Sequence, residues 1–267
     1  MLQQLRVRPG DPANLLLRDP AATPDAPGGK EATEAALESQ LLEIDELQER
    51  LYAERRRSLL LVLQGMDTSG KDGTIRHVIK GLNPAGTRVA AFKEPSAEEL
   101  AHDFLWRVHQ QVPRSGEVAV FNRSHYEDVL AVRVKRLAPE AVWRMRYEHI
   151  NAFERLLGHN GTRVVKCFLH VSSGEQALRL RERSDDPTKR WKLSAEDVAD
   201  HGRYEEYLAA YAEMLERTST DQSPWWVVPA DHKWYRNWAV SEILLLTLRD
   251  MGPRYPELPP LPEAAAL

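Results

Sequence analysis

The run Ser58-Leu-Leu-Leu-Val-Leu63, followed at once by Gly65-Met-Asp-Thr-Ser-Gly70-Lys71, leaves few folds open to this chain. An unbroken aliphatic run of this length is what a parallel strand covered on both faces looks like. The two glycines and the lysine have G-x-x-x-x-G-K spacing, and a helical pattern follows from about Asp72 to Leu82. In that order, backbone N–H groups, a lysine and a helix N-terminus converge on a phosphate. A glycine-rich turn without a ligand is the alternative, and the strand and helix on either side weigh against it.

The pattern before and after the loop is an alternation. Leu37, Leu41, Ile44, Leu47 and Leu51 predict an amphipathic helix over 34–57. Strands are predicted at Arg88–Phe92, Val118–Phe121, Thr162–His170 and Trp225–Val228. Helices are predicted from Ser96 to Gln111, from Pro139 to Leu157, over Glu175–Arg183, from Ser194 to Arg217 and over Trp234–Leu248. Ser96 with Glu99 has the spacing of a capping box, and Ser194 is placed to cap with Asp197 in the first turn. Strands separated by helices imply an α/β fold: a central parallel sheet with helices on both faces.

Composition sets the limits. Of 17 prolines in 267 residues, five lie in 1–30 and five in 252–267, so an irregular N-terminal arm (1–30) and a Pro-rich C-terminal tail (252–267) are expected to flank one domain over 31–251. No aliphatic run approaches the roughly 20 residues of a membrane helix, and no secretion signal is read at the N-terminus, so a cytoplasmic protein without membrane contact is expected. Cys167, the only cysteine, lies in an apolar run and reads as a buried, inert thiol. The net charge of −4 argues against a nucleic-acid coat.

Candidate site residues cluster in three places. In the loop, Gly65, Thr68, Ser69, Gly70, Lys71, Asp72 and Gly73 are the phosphate-binding candidates. The position after the lysine, which ordinarily supplies a Ser or Thr to magnesium, is Asp72. Asp67 lies inside the loop, where a carboxylate facing phosphates needs a metal between them; it is the candidate Mg²⁺ ligand, directly or through water. A cap on a neighbouring helix is its alternative role. The second cluster is Asn122-Arg-Ser-His-Tyr-Glu-Asp128, at the carboxyl end of a predicted strand, where ligands gather in open parallel sheets. Arg123 suits phosphoryl oxygens, and Asn122, Glu127 and Asp128 are candidates for orienting an acceptor. Glu127 and Asp128 also fit an ordinary acidic helix start. The third is the segment 176–192, with six basic residues against three acidic ones. Its Asp185-Asp-Pro-Thr-Lys-Arg-Trp191 centre predicts a helix–loop–helix lid over about 176–200, with Lys189 and Arg190 as phosphate contacts. A solvated helix face is the plainer reading. Trp225, Trp226, Trp234, Tyr235 and Trp238 are expected to pack in the core rather than stack on a base.

Taken together, Gly65-Met-Asp-Thr-Ser-Gly-Lys-Asp-Gly-Thr-Ile75, Phe121-Asn-Arg-Ser-His-Tyr-Glu-Asp128, Asp186-Pro-Thr-Lys-Arg-Trp-Lys192 and Trp234-Tyr-Arg-Asn-Trp238 resemble the motifs of the polyphosphate kinase 2 family, over most of 31–250. The resemblance implies a three-layer P-loop kinase fold like that of thymidylate kinase, with a helical lid. It implies Mg²⁺-dependent, reversible phosphoryl transfer between inorganic polyphosphate and adenine nucleotides, and assembly into homodimers or homotetramers. It assigns catalytic roles to Asp67, Lys71, Arg123 and Arg183. Relatives acting on nucleoside diphosphates often carry Asp at the position of Asn122. The form found here is similar to the subgroup using both AMP and ADP, in which Glu127 is associated with AMP.

A linear polyanion needs a channel of Lys and Arg, which Lys71, Arg123 and the lid would supply. The transfer needs positioning and charge neutralisation more than a nucleophilic side chain. Two other functions fit parts of the pattern. One is an ATP-dependent nucleoside monophosphate kinase. The other is a catalytically weak polyphosphate-binding protein, which Asn122 and Asp72 would suit.

Overall fold

The structure is a computed structural model that describes residues 2–257. Its centre is a six-stranded sheet in the order β1-β6-β5-β2-β4-β3. The aliphatic run becomes β2 (Ser58–Gln64), buried at all seven positions, and it pairs in parallel with β4 (Val118–Asn122) and β5 (Thr162–His170). β3 (Thr87–Ala91) and β6 (Trp225–Pro229) extend the parallel sheet outwards. Chain order runs to one side of β2 through β3 and β4, then to the other through β5 and β6. The crevice at this reversal opens above the carboxyl ends of β2, β4 and β5, where open α/β sheets bind ligands.

Helices cover both faces. The predicted amphipathic helix is α1 (Lys30–Glu54), and it packs on α10 (Lys233–Met251), which lies against β5, β6 and α2 (Lys71–Val78). On the other side α6 (Glu140–His159) packs on β5, with α5 (Ala131–Val134) and α9 (Tyr204–Thr218) against it. Trp225, Tyr235 and Trp238 are buried in the core, as expected, and Cys167 is fully buried, which pushes its thiol pKa up. Among the described residues no helix is long and apolar enough to cross a membrane.

Two predicted helices are interrupted. The Ser96 capping box is present, but the helix stops after α3 (Ala97–Leu100) and resumes as α4 (Trp106–His109). Between them the Asp103 carboxylate accepts from the backbone N–H of Leu105 at 3.0 Å, a local turn that competes with helix continuation. The Ser194 capping box with Asp197 is also present, and α8 (Ala195–His201) ends at Gly202, the weakest helix former of the stretch short of proline. Between β5 and α8 lies α7 (Ser173–Asp185).

The first 30 residues are less irregular than proline content suggests. Arg6 and Val7 form β1, which pairs antiparallel with Trp225 and Trp226, so the sheet is not wholly parallel. Leu2, Leu5, Val7, Ala13 and Leu15 are buried, and the segment is tied down by Ser219 Oγ donating to Val7 O at 2.6 Å. Burial of five apolar side chains outweighs the prolines of the segment. Of the tail expected over 252–267, residues 258–267 lie outside the described range.

Candidate active site

The loop between β2 and α2 is held from behind by residues far away in sequence. Gly70 has φ +102°, and a Cβ there would lie 1.8 Å from an Arg236 Nη1 atom, so only glycine fits. Arg236 donates to Ser69 O at 3.2 Å, and Arg179 of α7 donates to Thr68 O at 3.0 Å and Ala230 O at 2.7 Å. Gln176 donates to Asp67 O at 3.1 Å. Thr68 (φ +63°) and Arg123 (φ +62°) both hold left-handed backbone without being glycine. Strain of this kind is kept only where the surroundings over-determine it, and it gathers at functional sites.

The cleft above the loop is lined by Gly65, Met66, Asp67, Arg123 and Glu127 on the sheet side. Gln176, Asp200, Tyr207 and Tyr211 line it on the lid side. Arg123 Nη2 donates to Asp67 Oδ1 at 2.5 Å, and its Nη1 lies 3.5 Å from Glu127 Oε2. Glu127, against the effect of burial and with help from Asp67, keeps the guanidinium pKa raised. Burial pushes the Asp67 carboxyl up, but Arg123, Lys71 and Arg183 overcome that and hold it below its ordinary value. Asp67 and Arg123 thus meet in the cleft with Lys71 beneath them, whereas Arg183 neither lines the cleft nor bonds to any of them and reaches Asp67 through its charge alone.

Lys71 is buried, and its Nζ donates to Gly65 O at 2.6 Å and Met66 O at 3.1 Å. Burial, with repulsion from Arg123, lowers its pKa to about 8. The ammonium is charged below that pH and neutral above it. For the free protein, kcat/KM toward an anionic substrate is therefore expected to fall above about pH 8, by up to about tenfold per unit. A pH profile measures this, and a Lys71→Arg variant, permanently charged, should lack that limb. Ser69 Oγ is buried with no hydrogen-bond partner, an orphan that a phosphate oxygen would satisfy.

The remaining sequence candidates separate. Asp72 turns away from the loop: its Oδ1 accepts from Asn122 Nδ2 at 2.8 Å and its Oδ2 from Lys192 Nζ at 3.0 Å. These bonds outweigh burial and lower its pKa. Gly73 sits behind the loop, facing Arg236. The lid has the expected shape, α7 followed by the turn Arg190–Lys192 and then α8. Lys192, not Lys189 or Arg190, makes its contact with the loop helix: Lys189 pairs with Asp186 at 2.7 Å, and Arg190 donates to Ser184 O at 2.9 Å. Asp128 does not line the cleft. Arg146 donates to it at 3.0 Å, Arg107 lies at 3.9 Å, and burial nevertheless raises its pKa to about 6.

Arg179 counts among the six basic residues of the lid segment, with no local sign that it holds the loop, and Arg236, Gln176, Asp200, Tyr207 and Tyr211 carry no such sign either. Arg236 was in plain view within Trp234-Tyr-Arg-Asn-Trp238, but nothing local signals that it is buried against Ser69 rather than solvated.

Asp67, the sequence candidate for a metal ligand, lines the cleft together with the carboxylates of Glu127 and Asp200. Among the described residues no three His, Cys, Asp or Glu side chains are grouped as a metal cage. A carboxylate beside a phosphate loop, with no ready-made cage around it, fits Mg²⁺, which keeps waters and takes substrate phosphates as ligands. Among the described residues, those lining the cleft include no Ser, Cys or His, and Ser69 lies buried beneath it. The arrangement can position anions and neutralise charge between them.

A family model described as polyphosphate kinase 2 (PPK2) matches residues 28–256. An AMP/ADP-polyphosphate phosphotransferase of Meiothermus ruber is 50% identical over 99% of this chain and 98% of its own length. An ADP-polyphosphate phosphotransferase of Rhodopseudomonas palustris is 44% identical over 86% of this chain and 84% of its own. The crystal structure of polyphosphate kinase 2 from Arthrobacter aurescens superposes with a TM-score of 0.94 at 44% identity, covering 98% of this chain and 93% of that one. The match runs over nearly the whole chain, and this chain belongs to the polyphosphate kinase 2 family.

Proposed function

We propose that the protein transfers the terminal phosphoryl group of inorganic polyphosphate to AMP and ADP, making ADP and ATP, in a reversible, Mg²⁺-dependent reaction. It works in the cytoplasm as a homodimer or homotetramer, without nucleic-acid or membrane partners. The observation that carries this reading is the convergence of Arg123 and Asp67 above the loop that holds Lys71, at the head of β2 and β4. The near-full-length likeness to a phosphotransferase named for both acceptors supports it.

The roles follow from charge and place. The nucleophile is a terminal phosphate oxygen of the acceptor, so the protein need supply no covalent intermediate. Lys71 and the loop backbone hold the donor phosphates, and the orphan Ser69 hydroxyl finds its partner there. Arg123 and Arg183 stabilise charge on the group in transfer. Arg123 meets two carboxylates, Asp67 and Glu127, which fix its fork before substrate arrives. Asp67 would hold Mg²⁺, which supplies charge neutralisation between donor and acceptor phosphates. The lid, tied to the loop helix through Lys192 and Asp72, closes the cleft to water.

A donor–acceptor matrix tests the reading: polyphosphate or ATP as donor, AMP, ADP and guanine nucleotides as acceptors. Polyphosphate should be the preferred donor. A clear preference for ATP would replace this function with a nucleoside monophosphate kinase, and binding of polyphosphate without turnover would leave a binding protein. Glu127 lines the cleft beside Arg123, and Glu127→Asn should impair AMP use more than ADP use, by roughly tenfold in kcat/KM. Equal loss on both acceptors would remove its selecting role.

A further inference from the structure

The lid helix α8 is an acidic helix brought against an acidic cleft. It carries Glu196, Asp197 and Asp200, and none of its residues is buried. Val198, its one large apolar side chain, is 58% accessible, so packing does not seat the helix. Yet Asp200 reaches the cleft that Asp67 and Glu127 line from the other side, and that cleft must take phosphates. Like charges in so small a space repel, and a helix without an apolar anchor should be driven off.

Lys135 answers this charge. It directly follows α5, and its Nζ forms an ion pair with Glu196 and lies 3.2 Å from Asp200 Oδ2. Burial opposes the charged amine, but hydrogen bonds to Glu196 and Asp200 overcome it and raise the pKa of Lys135. Among the described residues these are the only ion pairs that α8 makes. Its other ties to neighbouring helices are hydrogen bonds: the Tyr207 hydroxyl donates to Asp200 Oδ2 at 3.1 Å, and His201 Nδ1 lies 2.8 Å from Gln176 Oε1. The base from which Lys135 reaches is fixed. Val129, Leu130 and Val134 are buried in the core, and the turn that carries Glu127 immediately precedes them. One side chain thus joins the acceptor side of the cleft to the lid and offsets carboxylate charge at its rim.

We propose that Lys135 is a positioning residue for phosphoryl transfer, which seats the lid helix α8 on the acceptor side of the cleft and neutralises Asp200 before substrate phosphates enter. It acts through Glu196 and Asp200 and not by touching substrate. This rests on the reading of the cleft as that of a polyphosphate-dependent phosphotransferase and adds the residue that holds its lid in place.

Three variants of the full-length chain test it. They are read by kinetics with polyphosphate, Mg²⁺ and ADP, and by trypsin nicking of the substrate-free lid after Lys189, Arg190 or Lys192. Lys135→Met keeps the length and loses the charge. Its kcat/KM should fall roughly tenfold to thirtyfold, mostly as a raised KM for ADP, and nicking should speed up about tenfold. The melting temperature should stay within about 3 °C of wild type, since a partly exposed ion pair contributes little to global stability. Lys135→Arg keeps the charge and should bring both readouts within about threefold of wild type. Adding Asp200→Asn to Lys135→Met removes the stranded carboxylate, so KM for ADP should return toward wild type, while nicking stays fast because Glu196 is still untied. Wild-type kinetics and nicking in Lys135→Met overturn the proposal. So does a loss that Lys135→Arg does not restore, a double variant with KM no better than the single, or a collapsed melting temperature, which would mark a structural lysine. Nicking needs no turnover, so a wild type that fails to use polyphosphate removes the functional reading and leaves the lid measurement standing.

Discussion

Replacing Lys71 with alanine is expected to lower turnover by about 10³-fold or more, while the fold survives. The loss is large because Lys71 is the one lysine inside the phosphate loop, and its charge acts in a site where burial has removed most of the screening water. The fold survives because Lys71 Nζ bonds only to Gly65 O and Met66 O, within its own loop. The loop is held from outside by Arg179, Arg236 and Gln176. Burial already works against the charged amine, so removing it relieves a cost as well as two hydrogen bonds. Steady-state kinetics beside thermal unfolding checks both halves. Retained activity would take the loop out of the mechanism, and a collapsed melting temperature would show that the lysine is holding structure.

The second large effect lies beneath the site. Lys166 and Glu154 form an ion pair at 2.6 Å in the core, 0% and 2% accessible. Lys166 also donates to Thr218 O at 2.7 Å, and the Tyr126 hydroxyl donates to Glu154 at 2.6 Å. Tyr126 belongs to the turn His125–Asp128, which follows Arg123 and carries Glu127, so the pair underpins the acceptor side of the cleft. Lys166→Met strands a buried carboxylate, and about 3–5 kcal/mol of stability should be lost. For a chain of this size that is a fall of roughly 10 °C in melting temperature. The double change Lys166→Met/Glu154→Leu should recover much of the loss, since two apolar side chains suit the same space. Urea unfolding measures both. A single-variant loss below about 1 kcal/mol would mean that the carboxylate finds water.

Much of this could be read from local pattern. Strand β5 runs from Thr162 to His170 as its apolar run indicates, and both serine capping boxes are present, because each depends on residues three positions apart. The phosphate loop is legible for the same reason. Hidden features depend on what lies across the fold. Two residues of the N-terminal arm complete the sheet only because Trp225 and Trp226 are there to receive them. Arginines 179 and 236 look like solvated helix positions until β6 and the loop close over them. Asp128 follows Glu127 directly, yet it faces Arg107 and Arg146, because one residue in a tight turn changes direction by about a third of a circle.

Several cations of the cleft and lid are already paired: Arg123 with Asp67 and Glu127, Lys192 with Asp72, Lys189 with Asp186. A polyanion entering here exchanges partners instead of meeting bare charge. Simple salts must displace tethered carboxylates present at high effective concentration, so weakly basic anions such as chloride compete poorly. Fewer small ions are released on binding than a count of lysines and arginines suggests, and the affinity for a long phosphate chain should depend on ionic strength less steeply than that count implies. Paired carboxylates of this kind favour a ligand with several phosphates in a row, which can replace more than one of them at once.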